Sequence, residues 1–211
     1  MKINNTTQIT GSKVILVPYK EHHVLRYHEW MKCEELQQLT ASEPLSLEDE
    51  YKMQKSWFED EDKCTFIILN RLKFQEKSNE IDSMIGDTNL FFDNSEKEKI
   101  AEIEIMIAEK IDRGKGCGRE ATILMLIYGI EKLGVQKYSA KISIENVKSC
   151  NMFQKLDFIE ISRSSVFKEV TLEKNVDCTW LNWLRSNVKF EMNENYDSRL
   201  NCTLNKTKNF E

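Results

Sequence analysis

"DRGKGCGREA", residues 112–121, places three of the chain's seven glycines within five positions and flanks them with Arg113 and Arg119. Just upstream, KIAEIEIMIA (99–108) alternates Ile103, Ile105 and Ile107 with Glu102, Glu104 and Met106, the period of a strand. Just downstream, REATILMLIYGIEKLG (119–134) predicts a long apolar helix ending on Leu133, with Gly134 at the stop position. A strand, a glycine-rich turn and a helix N-terminus make an anion site. The first-turn amides lack intrahelical partners, the helix dipole adds partial positive charge, and glycine permits close backbone approach. The spacing Gly114, Gly116, Gly118 fits neither the triphosphate loop G-x-x-x-x-G-K-[ST] nor the dinucleotide turn G-x-G-x-x-G.

Working outward, KVILVP (13–18), CTFIIL (64–69), MIGDTNLFF (84–92) and KYSAKISI (137–144) predict strands, and FIEISRSSVFKEVTLE (158–173) two short strands. EHHVLRYHEWMK (21–32), SLEDEYKMQKSWF (46–58) and NVKSCNMFQKL (146–156) carry helical spacing, the second opened by Ser46 with Asp49 three residues on. NRLKFQEKSNEIDS (70–83) and DNSEKEK (93–99) are polar and are expected as surface connections between strands. From Ser186 the composition turns Asn-rich and loses its apolar period. The expectation is one mixed α/β domain over 1–185 and a disordered tail over 186–211.

Composition narrows the functional classes. With 211 residues, 40% hydrophobic, the chain can bury one sizeable core. A net charge of -5 and a pI near 5.5 argue against a nucleic-acid binder. No apolar run approaches a membrane span and the N-terminal MKINNTTQITGSK has no secretory apolar region, so a soluble, cytoplasmic protein is expected. The six cysteines form no C-x-x-C pair, which predicts reduced thiols rather than a zinc site or disulfide framework. His22, His23 and His28 share one early segment with no carboxylate or cysteine at ligand spacing, so no metal is expected.

Arg113-x-x-Gly116-x-Gly118 resembles the [RQ]-x-x-G-x-[GA] signature of the GNAT superfamily of acetyl-CoA-dependent N-acetyltransferases. AEIEIMIA resembles the strand that precedes this loop in the family. ENVKSCNMFQKLDF resembles its N-x-x-S/A segment, with Asp157 replacing the glycine of a G-F pair. The resemblance implies an α+β fold with a mixed, mostly antiparallel sheet flanked by helices, and acetyl-CoA as co-substrate. It implies that Arg113, Gly114, Lys115, Gly116, Cys117, Gly118 and Arg119 surround the cofactor pyrophosphate, with charge from Lys115 and Arg119. Ile105, Met106 and Ile107 would pair their backbone with the pantetheine arm, and Asn146 would also contact the cofactor. The family transfers acetyl by direct amine attack without an acyl-enzyme, which leaves Cys150 no nucleophilic role. Glu102 matches a strand glutamate that removes the amine proton through water; Glu104, two residues on, faces the same side. Ser149 matches a serine that meets the leaving thiolate, or else is an ordinary residue of a helix N-terminus. Phe153 stands where many members hold an acidic tyrosine.

Longer strings, among them YHEWMKCEELQQLTASEPLSLEDEYKMQKSW and RGKGCGREA, resemble a eukaryotic branch of the superfamily linked to acetylation of the N-termini of α- and β-tubulin. This implies a protein N-terminus, tubulin, as partner, and an association with microtubules. Proton energetics agree: a neutral lysine at pH 7 costs about 3 to 4 kcal/mol more than a neutral α-amine, whose reference pKa is about 7.7–8.0 against about 10.4. Two alternatives stand beside this reading. One is a non-catalytic GNAT domain that binds microtubules or another partner; the other is acetylation of a small amine, with Glu43, Glu48, Asp49 and Glu50 receiving a cation.

Overall fold

VILVP and KCTFIILN are buried at nearly every position because both faces of their strands are covered. The computed structural model describes residues 2–93 and 98–197. Along the chain lie β1 (Gln8–Thr10), β2 (Val14–Pro18), a 3₁₀ turn, α1 (Val24–Met31), α2 (Glu34–Thr40), α3 (Leu47–Glu59), β3 (Lys63–Asn70), α4 (Arg71–Lys77) and α5 (Glu80–Ser83). There follow β4 (Met84–Asp93), β5 (Ile100–Ile107), a second 3₁₀ turn, α6 (Cys117–Leu133), β6 (Lys137–Ser143), α7 (Val147–Gln154), β7 (Ile159–Ser164), β8 (Glu169–Asn175), α8 (Cys178–Asn187) and β9 (Glu191–Asn193).

Among the described residues, nine strands form one sheet in the order β7-β8-β6-β5-β4-β3-β2-β1-β9. Only β5 and β6 run parallel. The expected mixed, mostly antiparallel sheet flanked by helices is therefore present. Strand alternation sorts the apolar residues into two cores. Val14, Leu16, Phe66, Ile68, Ala101 and Ile103 pack with α6 and α8, while Ile15, Val17, Ile67, Leu69 and Met106 pack with α1 and its neighbours.

The central helix α6 is buried at every position from Ala121 to Gly129, so that stretch is apolar on nearly every side, as a covered helix must be. It starts at Cys117, two residues before the apolar string suggests, because Gly116 holds a left-handed φ of 85° as N-cap. Gly134 ends it at φ 70°, as expected.

Three expectations need correction. Residues 70–83 are not a bare connection: Asn70 caps α4 by accepting the Lys73 N–H at 3.1 Å, and Asn79 caps α5 through the Asp82 N–H at 3.1 Å. The helix expected over 21–32 is a 3₁₀ turn followed by α1, while α2 beyond it and α8 carry no expectation from the sequence. The tail expectation fails for residues 186–197. β9 pairs with β1 and Tyr196 is buried, its hydroxyl donating to Glu80 at 2.8 Å. One short strand satisfies the edge of β1 without any long apolar run. Residues 198–211 of the predicted tail, and most of the 93–99 connection, lie outside the described residues.

Candidate active site

Pairing between β5 and β6 runs from Ile100–Lys137 to Glu102–Ser139 and goes no further. Beyond it the strands splay, leaving the β6-facing backbone of residues 103–105 without a strand partner. The splay widens into a cleft of about 670 Å³. Its walls bring together Ile105, Met106 and Ile107 from β5, Arg113, Gly114, Gly116, Gly118 and Arg119 from the loop, and Asn146 and Ser149 from the start of α7. Of the cofactor residues expected, Lys115 is exposed at the loop and Cys117 is buried in the core beneath it. The sequence reading missed Lys148 and Lys155, which add cationic charge to the cleft from α7, and Leu36 and Leu39, which close it from α2. The i, i+7 spacing of the two lysines on one helix was the available signal.

The lining fits an acyl-CoA. Gly114 and Gly116 sit at φ 74° and 85°, where a side chain is strained, and a Cβ on Gly118 would touch Ile107 at 3.4 Å. Unpaired first-turn amides of α6 and the lysines suit phosphate, and the open strand edge beside isoleucines suits an amide-bearing arm.

The loop is braced by its own arginines. Arg113 donates from Nε to the Ile107 carbonyl at 2.7 Å and from Nη1 to Glu35 Oε1 at 2.6 Å, tying the end of β5 to α2. Lys110 and then Arg113 hold the Glu35 carboxyl down to about 2. Arg119 donates to Asn187 Oδ1 on α8 at 2.8 Å, so its guanidinium already has one partner. Asp112, buried, accepts from Asn70 Nδ2 at 2.8 Å and from Lys73 Nζ at 2.7 Å. Arg113 and Asp112 thus shape the loop.

On the opposite side of β5 the two glutamates differ. Glu102 pairs with Lys141 Nζ at 2.6 Å. Glu104 stands beside Asn89 of β4 and shares a face with Asp87, the partner of Met106. Its side chain is exposed to water, although neighbouring protein still desolvates the carboxylate in part. That desolvation, then the neighbouring Asp87 carboxyl, push it up to about 7, against the opposing charge of Lys63. Asp87 is itself raised to about 6 by burial, against hydrogen bonds that include Asn89 Nδ2 at 2.9 Å. Thr65 Oγ1 donates to Asn89 Oδ1 at 2.7 Å, which fixes the amide. The Lys63 ammonium lies 2.9 Å from the Trp57 ring centroid and 4.2 Å from that of Phe91, and burial lowers it to about 7.

At α7, Asn146 Oδ1 accepts the Ser149 N–H at 3.2 Å, so the asparagine caps the helix while both line the cleft. Phe153 is core, edge-to-face with Phe158 at 5.1 Å. Asp157 takes the left-handed φ of 69° that a glycine would take there, held by Lys174. Three of the acidic residues that could receive a cation have partners within the chain. Glu50 is buried against His28 at 3.2 Å, and Glu48 and Asp49 pair with Lys52 on the surface.

The early histidines do have a carboxylate: Glu80 Oε2 lies 3.2 Å from His22 Nε2 and 3.3 Å from His23 Nε2. Sequence distance hid it. The Lys20 N–H donates to His23 Nδ1 at 3.0 Å, which leaves the neutral ring's proton on Nε2, facing Glu80. In that state the group is a hydrogen-bonded cluster. Burial lowers His23 to about 4.

A splayed parallel strand pair, a glycine-capped helix at its mouth and a cleft suited to an acyl-CoA define an acyl-CoA-dependent N-acyltransferase. The family model described as Acetyltransferase (GNAT) domain matches residues 13–159, and the chain belongs to that family of acetyltransferases. It is 54% identical over 187 residues to human alpha/beta-tubulin-N-acetyltransferase 9, covering 87% of this chain and 90% of that protein. It is 55% identical over 174 residues to the N-acetyltransferase 9-like protein of Nematostella vectensis, covering 82% and 88%. Among solved structures, a Vibrio cholerae spermidine N-acetyltransferase in complex with CoA and spermine shares the fold, with TM-score 0.66, 16% identity and coverage of 88% and 98%.

Proposed function

We propose that this acetyltransferase acts on the N-terminal α-amine of a protein, with the N-termini of α- and β-tubulin as substrates, in the cytoplasm and in association with microtubules. The observation that carries the reading is Glu104: a carboxyl raised to about 7, one strand repeat, about 7 Å, from the cleft-lining Met106. A base of that strength suits an α-amine of pKa about 7.7–8.0 and is poorly matched to a lysine near 10.4. The relatives named for tubulin acetylation support the choice of protein.

Acetyl-CoA supplies the activated thioester. The loop amides and the cationic rim hold its phosphate end, and the open edge of residues 103–105 aligns its arm. Glu104, directly or through water, takes the proton released as the amine attacks; Asp87 keeps that carboxyl basic enough to do so. Glu102, neutralised by Lys141, shapes the entrance rather than moving the proton. Ser149 stands on the cleft wall as the hydroxyl to meet the leaving thiolate. Glu48, Asp49 and Glu50 already have partners within the chain, which weighs against their receiving a small polyamine.

Incubation of the purified chain with acetyl-CoA and peptides bearing the tubulin N-termini, followed by free-thiol release and intact peptide mass, tests this. Turnover on those peptides, lost in Glu104→Gln, is expected. Turnover confined to internal lysines or to polyamines overturns it.

A further inference from the structure

The turn between β1 and β2, residues 11–13, is held against the cofactor loop from two directions. From the helix side, Glu120, buried in the first turn of α6, accepts the N–H groups of Ser12, Lys13 and Val14 at 3.1, 2.6 and 2.9 Å. Arg71 Nη1 donates to the Gly11 carbonyl at 2.7 Å, and the Arg71 N–H donates to the Lys13 carbonyl at 2.9 Å, which fixes the turn. From the turn side, the Lys13 ammonium reaches back and donates to the carbonyl of Lys115 at 2.7 Å.

That contact has a directional consequence. The Lys115–Gly116 peptide is trans, so its C=O and N–H point in opposite directions. Drawing the carbonyl toward Lys13 turns the Gly116 N–H away from Lys13. Gly116 lines the cleft, whereas the exposed Lys13 is not one of its lining residues. A carbonyl oxygen turned into the cleft would repel a phosphate; an amide attracts it. Lys13 also lies 2.7 Å from where a Cβ on Gly116 would stand, so side-chain growth there would displace the ammonium as well as strain the left-handed backbone.

We infer that Lys13 is a positioning residue for the pyrophosphate of CoA: it orients the Lys115–Gly116 peptide so that the loop presents an amide rather than a carbonyl to the anion. The inference rests on the acyl-CoA reading of the cleft. Lys13 lies 102 residues from Lys115, outside any loop motif.

Calorimetric titration of the full chain with CoA, and ligand-observed NMR with pantetheine, which lacks the pyrophosphate, separate the possibilities. For Lys13→Met the expected result is about five- to tenfold weaker CoA binding, the scale of one charge-assisted hydrogen bond, with pantetheine binding unchanged. Lys13→Arg should restore CoA binding to within about twofold, since it keeps charge and donor. Unchanged CoA affinity in Lys13→Met, or a parallel loss for CoA and pantetheine, overturns the assignment. Failure of the unsubstituted chain to bind CoA at all overturns the acyl-CoA reading itself, and the Lys13 assignment with it.

Discussion

The Glu102 carboxylate lies 2.6 Å from the Lys141 ammonium, whereas Glu104, two residues along the same strand face, stands beside Asn89 on the face it shares with Asp87. The ion pair also raises the pKa of Lys141. Two glutamates that look equivalent in sequence therefore have different surroundings: one is ion-paired, and the other is raised to about 7 by desolvation and then by Asp87. Replacing Glu104 with Gln should lower kcat/KM for an α-amine peptide by about 100-fold or more, the usual scale of a lost general base. Glu102→Gln should stay within about fivefold. The rate of the unsubstituted enzyme should rise with pH through an inflection near 7, because a carboxyl held at about 7 is protonated and inactive below it. The residual rate of Glu104→Gln should keep only the inflection of the substrate amine near 8. Steady-state pH profiles read both.

The same carboxyls make stability depend on pH. Asp87 and Glu104 are raised to about 6 and about 7, above their ordinary values near 4. Between those limits the native state holds more protons than the unfolded chain, so their contribution falls as pH rises from about 4 to about 7. The double variant Asp87→Asn, Glu104→Gln should remove that slope. Its melting temperature should exceed that of the unsubstituted chain by about 2–4 °C at pH 8 and converge with it near pH 4.5, after discounting for the water that reaches Glu104. Thermal melts across that range decide the matter.

Gly86 lies opposite Ile107 where β4 meets the end of β5, and a Cβ there would fall 1.9 Å from the Met106 carbonyl oxygen. The three nearest atoms are all β5 backbone, so no side-chain rotamer can absorb the clash. Gly86→Ala should cost about 2–4 kcal/mol by urea unfolding and weaken CoA binding, because Met106 forms part of the cleft wall. Full retention of both would show that the strands separate more easily than their pairing implies.

Tyr196 is buried and donates to Glu80, while β9 covers the edge of β1. A chain ending at residue 190 should lose about 2–4 kcal/mol, from the lost aromatic burial together with the exposed edge. Tyr196→Phe, which removes only the hydroxyl, should lose about 1 kcal/mol. Chemical denaturation of the two variants separates packing from hydrogen bonding.

Much of this architecture was legible in consecutive residues. The alternation of Ile103, Ile105 and Ile107 reports β5 because side chains on a strand repeat every two residues. Ser46 with Asp49 marks the start of α3, and its side chain does accept the Asp49 N–H. The helices α4 and α5 were harder to see: short, polar and capped by asparagine, they carry no apolar period to read. β9 escaped for a similar reason, since three residues pairing with an edge strand need no hydrophobic pattern of their own.

The sequence by itself determined the strand, the glycine loop and the helix that follows it. Left-handed turns and unpaired first-turn amides are local demands, met by residues within reach of one another along the chain. Only the tertiary structure decided which glutamate is ion-paired and which stands beside Asp87, and which lysine reaches the loop carbonyl. Desolvation and charge pairing depend on what folding brings close. Lys141 quiets Glu102, Asp87 and Lys63 set Glu104, and Lys13 reaches the loop from the far end of the chain.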